Sequence, residues 1–225
     1  MSHAWPTTQN AVRADIARVG ASLFQRGLVH STAGNISVRL NAEQGGGFLI
    51  TPTDVCLGFL DPEQLSWVGE DGTALAGARA SKTLTLHRRI YAASPDAHCV
   101  LHTHSTHLVA LTLQGVWRNT DILPPLTPYQ LMKVGHVPLV NYRVPGDAGV
   151  ADDVAALIAN AQRPLRAVML DRLGPTVWHD SPASAMALLE ELEETARLWL
   201  LSEPRPEPLT DTQINDLRAQ FNAPW

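Results

Sequence analysis

The chain has 225 residues, 45% of them hydrophobic and 17% charged, with a formal net charge of −5. That length and apolar content suit one large α/β domain with a sizeable core, and the lack of a basic field excludes nucleic acid and acidic membranes as expected partners. Cys56 and Cys99 are too few for a disulfide framework, no apolar run reaches the ~18 residues of a membrane span, and no charged-then-apolar leader opens the chain. The expectation is a cytoplasmic protein with reduced thiols.

Val12, Ile16, Val19 and Leu23 recur at helical spacing and predict a helix between Thr8 and Leu28, stopped by Gly27. A turn at Ala33-Gly34-Asn35 precedes an alternating strand, Ile36, Val38 and Leu40. The glycine-rich stretch 41–47 is a hairpin loop, and Phe48 to Thr51 is the returning strand. Pro52-Thr53-Asp54 is a turn, 56–79 reads as short strands and turns, and Glu70-Asp71-Gly72 signals a hairpin. A helix is predicted over Leu84 to Ala93, then a strand carrying histidines, a second helix, and a loop at Pro124-Pro125-Leu126-Thr127-Pro128. Val137 to Tyr142 is strand-like. A helix at about 149–161, a strand over Ala167 to Leu170 and a long helix at about 183–201 complete the core. The expected organisation is one domain over 1–225, with the core at 8–201 and a proline-rich arm at 202–225.

The most informative residues are His102 and His104, within Val100-Leu101-His102-Thr103-His104-Ser105-Thr106-His107. On an extended strand, residues i and i+2 share a face, so the two imidazoles stand side by side at a spacing that lets both hold one divalent ion. Gly34-Asn35 is either an anion cradle or a hairpin turn that needs positive φ. Thr51-Pro52-Thr53-Asp54 is a second hydroxyl-bearing turn. Ser81-Lys82-Thr83 opens a helix, where free N–H groups, the macrodipole and an ammonium favour a phosphate; the alternative is that Ser81 only caps the helix. His87 is expected on a helix face and His3 in a chain end. His30, His98, His136 and His179 are expected to be hydrogen-bonded or at the surface.

The ordered set Ser31-Thr32-Ala33-Gly34-Asn35-Ile36-Ser37, Thr51-Pro52-Thr53, Ser81-Lys82 and His102-Thr103-His104-Ser105 resembles the class II aldolase/adducin family over roughly residues 8–201. The resemblance implies a three-layer α/β/α fold with a central mixed, largely antiparallel sheet, and a homotetramer with its active site between subunits. It implies His102 and His104 as ligands of a divalent metal, zinc first, with manganese or cobalt as alternatives. It also implies Gly34, Asn35, Thr53, Ser81 and Lys82 as the binding site for a substrate phosphate, with Asp54 beside it. Leu123 to Tyr129, Val134 to Val140, Arg143 to Asp147 and Glu191 to Ala196 resemble the 3-oxo-tetronate 4-phosphate decarboxylases of that family. Those enzymes release CO₂ from a small anionic sugar-acid phosphate to give a triose phosphate.

Two positions depart from the family pattern. Thr83 stands where family aldolases carry an acid/base glutamate, and Leu173 where the third metal histidine is found. Threonine cannot take a proton near neutral pH, which harms aldol cleavage more than loss of CO₂. Leucine cannot bind a metal, so the third ligand would be His107, His136, His179, a neighbouring subunit's residue or substrate oxygens. Tyr129 is the expected proton donor, reaching across a subunit boundary. The readings are therefore a metal-dependent decarboxylase, a class II sugar-phosphate aldolase, or a degenerate adducin-like scaffold.

Overall fold

The computed structural model describes residues 7–225, so His3 lies outside the described residues. Eight strands form one sheet, in the order β4-β3-β2-β1-β5-β8-β7-β6. The strands are β1 (Asn35–Arg39), β2 (Phe48–Ile50), β3 (Ser66–Val68), β4 (Ala74–Ala76), β5 (Cys99–His102), β6 (Leu139–Val140), β7 (Ala167–Leu170) and β8 (Gly174–His179). Every pairing is antiparallel except β6 with β7.

Helices cover both faces, because alternate residues of each central strand feed two separate cores. On one face, Ile36, Val38, Leu101 and Val177 pack with Ile16, Leu111 and Leu192. These come from α1 (Gln9–Gln25), α3 (Thr106–Gln114) and α5 (Pro182–Leu201). On the other, Val100, Val168 and Trp178 pack with Ile90 and Val154, from α2 (Leu84–Ala93) and α4 (Gly149–Asn160). This is the expected three-layer arrangement with a mixed sheet. No helix among the described residues is long and apolar enough to cross a membrane.

Three segments differ from expectation. The strand expected over Val137 to Tyr142 contracts to Leu139–Val140. Gly174–His179 is a full strand between β5 and β7, where no element was expected. The proline-rich arm carries α6 (Asp211–Phe221), started by a capping box in which Thr210 and Gln213 satisfy each other's backbone N–H groups. Its Ile214, together with Trp225, packs on Leu131.

Candidate metal and substrate site

Antiparallel pairing brings the chemistry-bearing segments to one end of the sheet. β1 begins at Asn35 where β5 ends at His102, and the two residues are direct partners. His102 also faces Thr176 near the start of β8. β2 ends at Ile50, and Thr51 continues that row by exchanging hydrogen bonds with Ile36 through both its backbone N–H and its hydroxyl. Pro52 bridges to Ala80, Thr53 N–H donates to the Arg79 carbonyl, and Ser81 N–H donates to the Thr51 carbonyl. The Gly34-Asn35, 51–54 and 81–83 turns are thus neighbours around the end of the histidine strand.

The close approach rests on two glycines. Gly34 has φ +86°, and a Cβ there would lie 2.8 Å from the His102 carbonyl oxygen. Gly174 has φ +142°, and its Cβ would fall 1.9 Å from the Thr103 oxygen. Both positions exclude a side chain, on conformational and steric grounds together.

The alternation expected for His102-Thr103-His104-Ser105 holds. The rings of His102 and His104 lie 5.1 Å apart, centroid to centroid, at 72°. Thr103 and Ser105 turn the other way and bond to each other at 2.6 Å, with the Ser105 hydroxyl donating to the Leu28 carbonyl. His102 Nδ1 lies 2.9 Å from the Pro175 carbonyl oxygen and 3.1 Å from Thr176 Oγ1. A carbonyl can only accept, so Nδ1 carries the proton and Nε2 presents its lone pair, the arrangement found behind metal-bound histidines. Burial, then the neighbouring His104, lowers the pKa of His102 to about 3. Burial and His30 lower that of His104. Both rings are therefore neutral at neutral pH, as metal ligation requires.

The pair also has the separation that one ion needs. A ring bound through one nitrogen at ~2.0–2.1 Å carries its centroid about 3.2 Å from the ion, so two rings at a tetrahedral angle stand about 5.2 Å apart. The observed 5.1 Å fits. Among the described residues, however, no three His, Cys, Asp or Glu side chains are already gathered closely enough to hold a metal.

None of the histidines expected to supply a third ligand makes a ring contact with His102 or His104. His107 Nδ1 is held 2.8 Å from Glu193 Oε1, in an arrangement where Glu193 also accepts the backbone N–H groups that open α3. His136 bonds to Asp121 and stacks on Trp225. His179 pairs with Cys99, at the opposite end of β5 from His102, and bonds to Asp180. Leu173 packs its side chain into the apolar cluster beneath α2 and α4.

The sheet face under α2 contains unsatisfied polar atoms. Asn35 and His102 share a row, and Ser37, Val100 and Trp178 form the next row on the same face. Asn35 Oδ1, His87 Nε2 and Trp178 Nε1 are buried without a hydrogen-bond partner. His87, expected on a helix face, is wholly buried, with Nδ1 2.7 Å from the Ser37 hydroxyl. Its pKa is also lowered to about 3, by burial and then by the nearby His102. An unpaired amide oxygen beside His102 is a group waiting for a ligand or water.

Ser81 does not cap α2. The preceding residue, Thr83, makes no capping bond, and the Ser81 and Thr83 hydroxyls lie 3.0 Å apart. The Ser81 hydroxyl instead accepts the Thr83 N–H at 3.4 Å and its carbonyl accepts the Leu84 N–H, while Lys82 is exposed beside this turn. Thr53 is half-buried, and Asp54 is exposed at φ +58°. Tyr129 is 60% exposed, and no hydrogen bond or ring contact joins it to the histidine pair. A cavity of 1140 Å³ opens elsewhere, between β6 and α4, lined by Asn119, Tyr142, Arg143 and Arg163 among others; it includes His136 but neither His102, His104, Tyr129 nor any of the phosphate candidates.

Comparison with known proteins gives the family and the fold. The Class II Aldolase and Adducin N-terminal domain family matches residues 14–200. The chain is 51% identical to the 3-oxo-tetronate 4-phosphate decarboxylase of Cupriavidus necator over 224 residues, covering 97% of this chain and all of the relative. It is 41% identical to the Escherichia coli protein of the same name, over 94% of this chain and 97% of the other. The crystal structure of Escherichia coli YgbL superposes with a TM-score of 0.87 at 39% identity, over 94% of this chain and all of that one. The chain belongs to the class II aldolase and adducin family.

Proposed function

We propose that the protein is a lyase that decarboxylates 3-oxo-tetronate 4-phosphate, giving CO₂ and a triose phosphate. Full-length 51% identity to a relative of that name carries the substrate assignment. The neutral, tetrahedrally spaced His102/His104 pair beside candidate anion-binding turns supports the chemistry.

In this reading His102 and His104 hold a divalent metal, zinc first, through their Nε2 atoms. Bound there, it supplies Lewis acidity toward negative charge developing on the C3 oxygen. The Gly34-Asn35 turn, Thr53, Ser81 and Lys82 clamp the 4-phosphate, using backbone N–H groups, hydroxyls and the ammonium. The Asn35 amide can present either oxygen or nitrogen, so it also suits a substrate hydroxyl next to His102. Once the acid is fixed, the C1–C2 bond breaks. Its electron pair moves to C2 in conjugation with the C3 carbonyl, CO₂ leaves, and one proton returns to C2.

No base is needed to remove a proton from carbon in this sequence, so Thr83 is compatible with it. A glutamate at 83 would add a third negative charge beside a carboxylate and a phosphate. Tyr129 is the donor of the returning proton, acting from a second copy of the chain within a homotetramer, since its side chain projects outward.

The test is a product analysis with purified protein. Equimolar CO₂ and triose phosphate from 3-oxo-tetronate 4-phosphate is the expected result. Aldehyde release from a ketose 1-phosphate, without CO₂ from the keto acid, would replace this reading with the sugar-phosphate aldolase.

A further inference from the structure

Leu173 leaves the metal pair one protein ligand short, and the structure holds a substitute from a different part of the chain. We propose that His30, on the loop between α1 and β1, is the third metal ligand, completing a His30/His102/His104 site; this rests on the metal-dependent reading above.

The His30 ring stands 6.4 Å from that of His104, edge-on at 73°. Of the described histidines outside the pair, it is the one whose ring contacts the pair. His87 is buried with its Nδ1 on Ser37; His107 and His136 are held by Glu193 and Asp121; and His98 and His179 lie at the far end of the sheet, where the His98 N–H donates to the His179 carbonyl. The His30 ring is exposed and makes no hydrogen bond, so nothing opposes its turning inward.

The required movement is a side-chain rotation. Two rings on one tetrahedral ion stand about 5.2 Å apart, and about 6.4 Å is the limit reached when the two bonds are opposed. Three-nitrogen ligation with a fourth position open to substrate needs the His30 ring to come roughly 1 Å nearer to His104 and to a like distance from His102. The loop backbone that carries the residue is held in place. The Ala33 N–H donates to the His30 carbonyl, Ser31 takes φ +51°, and Gly34 rests against the His102 carbonyl. The ligand set thus joins the loop after α1 to the end of β5.

The experiment is a cobalt(II) titration of the metal-free full chain, read by visible d–d absorption and by competition with zinc, for wild type, His30→Ala, His107→Ala and His102→Ala. Wild type should show the intense band of a low-coordinate nitrogen site. His30→Ala should lose affinity at least about tenfold, the lower end of what even an outer partner of a ligand costs, and its band should weaken as water replaces nitrogen. His107→Ala should match wild type, and His102→Ala should show no band. If His30→Ala binds cobalt with wild-type affinity and spectrum, the third-ligand assignment is overturned while the metal-dependent reading stands. If wild type itself takes up neither cobalt nor zinc, both fall together.

Discussion

Asn35 and His102 are direct partners across β1 and β5, with their side chains on the same face of the sheet, and Asn35 Oδ1 is buried there without a hydrogen-bond partner. A buried amide oxygen left unpaired costs stability, and in the proposed function a bound substrate supplies its missing partner. Replacing Asn35 with Ala should lower kcat/KM by about tenfold to a hundredfold, equivalent to about 1.4–2.8 kcal/mol of lost binding, while the melting temperature stays level or rises. Steady-state kinetics with calorimetry on one preparation would check both halves. A large fall in melting temperature with unchanged kinetics would mean that Asn35 is structural.

Gly174 is where β8 meets the histidine strand. A methyl group there would overlap the Thr103 carbonyl oxygen and force a backbone at φ +142° that side chains avoid. Gly174→Ala should therefore push β8 away from β5 and break the His102 Nδ1 contact with the Pro175 carbonyl. The expected outcome is a loss of several kcal/mol in stability together with weaker metal binding, measured by urea unfolding and metal titration. Unchanged metal affinity in a folded variant would show that the Pro175 contact does not orient His102.

Thr83 separates the decarboxylase from the aldolase reading. Thr83→Glu would place a carboxylate next to the Ser81 hydroxyl, beside the proposed phosphate clamp. Like charges within one site repel, so KM for the phosphorylated keto acid should rise by about tenfold, a penalty near 1.4 kcal/mol, with no gain in rate. An increased decarboxylation rate would show that the reaction needs a base at this position after all.

The buried imidazoles give stability a defined pH dependence. The pKa values of His87 and His102 fall from 6.5 to about 3 in the folded chain. Between those values the unfolded chain binds protons that the folded chain excludes, so stability is complete above about pH 6.5 and declines as pH falls toward 3. In metal-free protein, the urea midpoint should drop steadily from about pH 7 to about pH 5. His87→Gln should lessen that slope. A midpoint that is flat or rises on acidification would contradict the buried neutral state of these rings.

Local signals made most of this structure legible from sequence. The 3.6-residue apolar spacing of Val12, Ile16, Val19 and Leu23 marked α1, which runs Gln9–Gln25. The two-residue spacing of His102 and His104 placed both rings on one side of the chain. The helix α6 also had a local signal, Thr210 followed by Gln213 at capping-box spacing, obscured by the surrounding prolines. Long-range relations were not legible. The strand β8 was not expected, and its start is held by long-range contacts, the Pro175 carbonyl accepting from the Thr103 N–H and from His102 Nδ1. His107, adjacent to the pair in sequence, is turned toward Glu193 of α5 instead. The approach of His30 to His104 depends on how the loop after α1 folds over β5, which no spacing in the chain encodes.

The most direct test compares CO₂ release from 3-oxo-tetronate 4-phosphate by wild type and by the His102→Ala/His104→Ala double variant, under identical metal supply. The account predicts equimolar CO₂ and triose phosphate from wild type and no turnover from a folded double variant. Wild-type turnover by the double variant, or no CO₂ from metal-loaded wild type, would contradict it.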